Sequence, residues 1–108
     1  MIVEFDIDDV MRHLVNNGVQ CEPRRRSYPY HPELDYDYIK CEKDGFKFET
    51  SLKEGDLPVL QLVAYSGGNR FGLNRMFSPM ELTEDLFVDY IVGYSVDYFI
   101  NNIYKQTK

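Results

Sequence analysis

The stretch DYIKCEKDGFKFETSL, residues 37–52, decides how this chain folds. At its centre Asp44-Gly45 is the two-residue signal of a type I′ hairpin turn, whose central positions both require positive φ. Such a turn sets Lys43 against Phe46, so opposed residue numbers sum to 89 along the hairpin. Glu42 then faces Lys47 and Lys40 faces Glu49, two opposite-charge pairs on one face. On the other face Cys41 meets Phe48 and Ile39 meets Thr50. A slip of one residue would turn the apolar set toward water, so both faces specify the same register.

The reading extends in both directions. After the KEGDLP turn at 53–58, VLQLVAYS is apolar at nearly every position and reads as a third, more buried strand. The following GGNRFGLNRMF, 67–77, reads as a loop rich in glycine and asparagine. Upstream, Ile7, Val10, Met11, Leu14 and Val15 form the apolar stripe of a helix over residues 6–18. Asp6 is its N-cap, Asp9 stands at N3, and Gly18 falls where a left-handed C-terminal residue is wanted. Phe5 and Val10 are spaced to form a hydrophobic staple.

Ser78-Pro79-Met80-Glu81 combines a serine cap, proline at the first helical position and glutamate at the third. It predicts a long helix over 79–105, with Gly93 as a kink or a point of close packing. Apolar residues cover most of that helix's circumference, and only Asp85, Asp89, Gly93, Asp97 and Asn101 form a narrow polar row. Such a helix needs burial on several sides, so a homo-oligomer or a partner interface through the C-terminal helix is expected. Residues 19–35 are the weak point. A structureless loop of that length is uncommon in a compact domain, so it hides a short strand at VQCE or has a function.

The expected fold is therefore α+β, with an N-terminal helix, a three-stranded antiparallel meander and a long C-terminal helix in the order α-β-β-β-α. At 108 residues the chain has room for one compact domain, 1–108, with 44% hydrophobic and 28% charged residues. No apolar run reaches the length of a bilayer span, and the acidic start MIVEFDIDD lacks a basic leader segment. A cytoplasmic protein is expected, with Cys21 and Cys41 as reduced packing thiols. His13, Cys21, His31 and Cys41 are zinc-ligand types at the wrong spacing, so no metal or cofactor is implied. Neither histidine has a cysteine or serine placed to act with it, and a non-enzymatic role is expected.

Charge segregates along the chain. The net charge is −6, of which residues 1–22 carry −4 and residues 77–104 carry −5, leaving +3 for the rest. That balance argues against direct nucleic-acid binding, which needs a net basic face. Double-stranded-RNA-binding domains share the α-β-β-β-α order, but Glu81, Glu84 and Asp85 stand where such a domain needs lysines, so no kinship follows.

Two sets of residues stand out as partner-binding candidates. Asp85, Asp89 and Asp97 lie on one helical row, with i, i+4 neighbours about 6 Å apart, and could imitate phosphates toward a basic surface. Arg24, Arg25 and Arg26 run into Tyr28 and Tyr30 in a proline-stiffened segment, and Arg and Tyr often carry interface energy. In the alternative the tyrosines cover the core while the arginines neutralise the acidic helices. A third set, Gly67, Gly68, Arg70 and Arg75, could cradle an anion or nucleotide in the glycine-rich loop. The leading expectation is a protein-binding inhibitor of the phage anti-defence or immunity type, masking a basic surface of another protein. The alternatives are a small anionic-ligand binder and a structural assembly component. No membrane partner is expected.

Overall fold

The 37–52 hairpin forms as its sequence requires. In a computed structural model describing residues 5–53 and 55–106 (side chains through 103), Lys43 pairs with Phe46, Glu42 with Lys47, Cys41 with Phe48, Lys40 with Glu49 and Ile39 with Thr50. Asp44 and Gly45 both take positive φ, 53° and 81°. The elements in chain order are α1 (Ile7–Asn16), β1 (Gln20–Arg26), β2 (Tyr36–Lys43), β3 (Phe46–Lys53), β4 (Val59–Ser66), β5 (Asn69–Met76) and α2 (Asp85–Gln106). Short 3₁₀ turns occupy Pro32–Leu34 and Glu81–Thr83. Glu54, in the 53–58 turn, lies outside the described residues.

The sheet has five antiparallel strands in the order β1-β2-β3-β4-β5, not the expected three. Both missed strands are edges. β5 follows Gly67 and Gly68, whose φ of 58° and 81° make a second tight hairpin turn, and Ser66 pairs with Asn69 across it. Its period-two signal was present in Phe71 and Leu73, but it spans only those two apolar positions, because the polar Asn69 and Arg75 share their face. β1 reaches well beyond VQCE because Arg24, Arg25 and Arg26 pair with Tyr38, Asp37 and Tyr36. Pro23 is tolerated there because an edge strand can leave one side of its backbone unpaired. The supposed 19–35 loop shrinks accordingly.

Both helices pack on one face of this sheet. Ile39, Cys41, Phe48, Leu60, Leu62 and Ala64 supply the sheet side of the core, and Val10, Leu14, Val88, Val92, Val96 and Phe99 supply the helical side. The other sheet face has no covering layer among the described residues. Val63, Tyr65 and Gln61 therefore alternate with the buried Leu62 and Ala64 along β4.

α1 begins with the expected reciprocal cap, Asp9 N–H donating to Asp6 and Asp6 N–H to Asp9, both at 3.0 Å. Phe5 packs on Phe77 and His13, with ring centres 5.1 and 6.0 Å away. The Ser78–Glu81 capping box also forms, with bonds of 3.1 and 3.3 Å. It caps only the 3₁₀ turn, because Glu84 is extended (φ −130°, ψ 114°) and separates that turn from α2. The expected 79–105 helix is thus a turn followed by a 22-residue helix.

Gly93 is a point of close packing. A Cβ there would overlap the Asn17 side-chain amide, which closes the C-terminus of α1. Gly93→Ala should lower stability by about 1–3 kcal/mol through overpacking, although alanine ordinarily gains about 1 kcal/mol over glycine in a helix interior. Chemical denaturation reads the sign directly, and a stabilised variant would contradict the contact.

Candidate interaction surfaces

The acidic row of α2 faces α1 and the end of β2. Asp85 accepts two hydrogen bonds from the Arg12 guanidinium, at 3.0 and 3.1 Å. Asp89 Oδ1 lies 3.2 Å from Nδ1 of the buried His13 and accepts from Asn17 Nδ2 at 3.0 Å. His13 Nε2 sits 3.2 Å from Asp85 Oδ1, close enough for charge attraction but outside hydrogen-bond geometry. Asp97 accepts from Lys43 Nζ at 2.8 Å. Asp85, Asp89 and Asp97 therefore do not form a free ridge of charge. They stitch α2 to α1 and to the sheet.

The Arg12 hydrogen bonds, opposed by partial desolvation and helped by the charges of Arg12 and His13, hold the Asp85 carboxyl below its ordinary range. A depressed folded-state value means that the pair stabilises the fold above the ordinary aspartate range and loses that contribution as pH falls through it. The stability advantage of the parent over Asp85→Asn should therefore shrink as pH falls below about 5, through the ordinary aspartate range and on toward the depressed folded-state value. Paired thermal melts across that interval check it. A constant difference would show that charge plays no part.

What α2 presents to solvent is the neighbouring row. Leu86 is 86% exposed, Tyr90 67%, Tyr94 61% and Tyr98 49%. The three tyrosine rings stack in sequence, centres 6.4 Å apart and planes 19–21° from parallel. That spacing matches the rise of about 6 Å over four helical residues. Phe87 and Met80 extend the apolar surface. The i+4 recurrence of Leu86, Tyr90, Tyr94 and Tyr98 was legible in the sequence, with the same period as the aspartate row. Only packing decides which row is tied to α1 and the sheet.

The arginine and tyrosine candidates separate. Arg24 pairs with Glu22 at 2.7 Å and Arg25 with Asp37 at 2.9 Å. Arg26 lies over the rings of Tyr38 and Tyr36, 4.9 and 5.8 Å from their centres, and 3.5 Å from Glu49. Each arginine is therefore met by a carboxylate of the sheet, not of the helices. Tyr28 is anchored through its N–H, which donates to Asp35 at 2.7 Å, whereas the Tyr30 side chain is 92% exposed.

The glycine-rich segment does not make a cradle. Gly67 and Gly68 are spent in the turn, and Arg70 and Arg75 project from opposite faces of β5. Arg75 donates to Glu81 at 2.9 Å on the helical side. Arg70 lies on the open face, folded back over Gly72. No cluster of three or more metal-ligating residues occurs among the described residues.

Cys21 and Cys41 are directly opposed across β1 and β2, and both are free thiols. The Cys41 thiol donates to Ile39 O at 3.5 Å and to Thr50 Oγ1 at 3.6 Å. Its proximity lowers the Cys21 pKa against partial burial, whereas proximity to Cys21 and burial push the Cys41 thiol up. Iodoacetamide should therefore label Cys21 first, and Cys41→Ala should slow that labelling. Peptide mass mapping over time reads both effects.

These elements define an antiparallel α+β protein with a two-helix layer on one sheet face. No family model, curated protein or solved structure matches the chain. No described helix is long and apolar enough to cross a membrane.

Proposed function

We propose that this is a small non-enzymatic protein-binding module that docks on another protein through the solvent face of α2. The observation that carries this reading is the stacked Tyr90-Tyr94-Tyr98 row beside the exposed Leu86 and Phe87. Contiguous exposed aromatic surface is uncommon on monomeric proteins, and tyrosine supplies much of the binding energy at interface centres. The rings also hold one another in place, so little side-chain freedom is lost on docking.

The sign of the partner follows from the rim. Residues 6–17 and 78–103, which form the helical layer, sum to −7. Although Asp85 and Asp97 have internal partners, both stay half exposed and their field still reaches solvent. A partner with an apolar groove and basic margins fits that surface, and basic margins would speed encounter. Binding of this kind masks the partner's groove, which is the action of an inhibitor or antagonist.

Tyr94→Glu tests the reading. The residue is exposed, so the fold should hold within about 0.5 kcal/mol, while capture of the partner from native lysate should be lost. Retained capture by the variant would move the interface elsewhere. The regular spacing of the row also suits pairing with a second copy. In that case sedimentation would show a concentration-dependent dimer that Tyr94→Glu dissociates.

A further inference from the structure

We propose that the open face of the sheet is a second site, which binds a small aromatic anion of the nucleoside-phosphate class. Arg70 would meet the phosphate and Tyr65 would stack on the base. The site is a trough across the middle of the sheet. A cleft of about 390 Å³ runs between Arg26, Tyr38, Ser51, Gln61, Tyr65 and Arg70. A neighbouring hollow of about 510 Å³ shares its Glu49, Val63 and Tyr65 wall. Both volumes fall in the range of small-ligand sites.

The charge of this face opposes that of the molecule. Arg24, Arg26, Lys40, Lys47, Lys53 and Arg70 share it with Glu22, Glu42 and Glu49, a balance of +3 in a chain of −6. Arg24 and Arg26 are matched by Glu22 and Glu49. Arg70 has no carboxylate within ion-pair distance among the described residues, and its Nη1 is 3.4 Å from where a Cβ on Gly72 would stand. The guanidinium lies along the sheet over Gly72, close enough that a Cβ there would touch it. An unpaired planar fork above a shallow floor suits bidentate phosphate recognition.

Flat surfaces flank it. Tyr65 is exposed beside Arg70, its cross-strand partner. Across the trough Arg26 covers Tyr38, and its ion pair with Glu49 offsets the one carboxylate that would repel an anion there. On the floor Ser51 donates to Gln61 Oε1 at 3.1 Å, and among the described residues the Gln61 amide hydrogens meet no acceptor, which leaves them for a base edge.

Size selects a short ligand over a polymer. At physiological ionic strength screening acts over about 8 Å, so a mononucleotide in the trough feels chiefly the local cations.

The test is calorimetric titration with AMP, GMP, CMP and UMP, alongside adenosine, inorganic phosphate and a deoxyoligonucleotide, with amide NMR to map the contact. At least one nucleotide should bind with a Kd below millimolar, shift Tyr65, Gln61 and Gly72, and exceed both adenosine and phosphate. Arg70→Gln should weaken it by about tenfold or more at unchanged Tm. Gly72→Val, which fills the floor from a strand-compatible position, should do likewise. Four things would overturn the proposal: no nucleotide binding at millimolar concentration, equal binding by Arg70→Gln, phosphate alone matching the nucleotides, or affinity growing with oligonucleotide length.

Discussion

The seam between α1 and α2 sets the orientation of everything else. Asn17 closes α1 and reaches across to Asp89, donating to its backbone oxygen at 3.1 Å and its carboxylate at 3.0 Å. Gly93 leaves room for that amide, and Arg12 and His13 take up Asp85 and Asp89. A buried histidine and two carboxylates can be placed together only if each polar atom finds a partner or a charge nearby. These contacts fix the rotation of α2 about its axis. With the 85-89-93-97 row turned toward α1 and β2, Asp85 and Asp97 stay half exposed at the rim and the 86-90-94-98 row points outward. The seam decides which of the two ridges is tied to the fold and which is left without partners of its own.

The same constraint explains the charge pattern. α1 and α2 share one sheet face, so their acids gather there, while Arg24, Arg26, Lys40, Lys47, Lys53 and Arg70 of the strands are left on the open side. Folding converts charge blocks along the chain into two layers of opposite sign. The Lys43–Asp97 bond at 2.8 Å joins them at one end of β2. Exposed pairs of this kind contribute little stability singly. Their larger effect is to direct differently charged ligands to different faces.

Much of the fold was legible where two independent patterns agreed. The 37–52 register was fixed by a turn that needs Asp44-Gly45 and by charge and apolar pairs that fit only one alignment. The cap of α1 was equally explicit in Asp6 and Asp9. The edge strands were not legible, because an edge lacks the burial that writes alternation into sequence. β1 reads QCEPRRR, and nothing local reveals that Asp37, Tyr36 and Tyr38 wait across the sheet to receive its arginines. The Ser78–Glu81 box marked a real cap but not the helix it caps, since such a motif specifies only the first turn.

The candidate surfaces follow the same rule. Residue types alone pointed to Asp85, Asp89 and Asp97, yet a carboxylate is available to a partner only after its own chain has made no better offer. Arg12 and Lys43 make that offer to Asp85 and Asp97, His13 and Asn17 make it to Asp89, and nothing comparable reaches Tyr94 or Arg70 among the described residues. A tyrosine stack in water and an unpaired guanidinium above a bare glycine both leave favourable interactions unmade. Such residual demand, more than composition, distinguishes a surface shaped for a ligand from one that completes the fold.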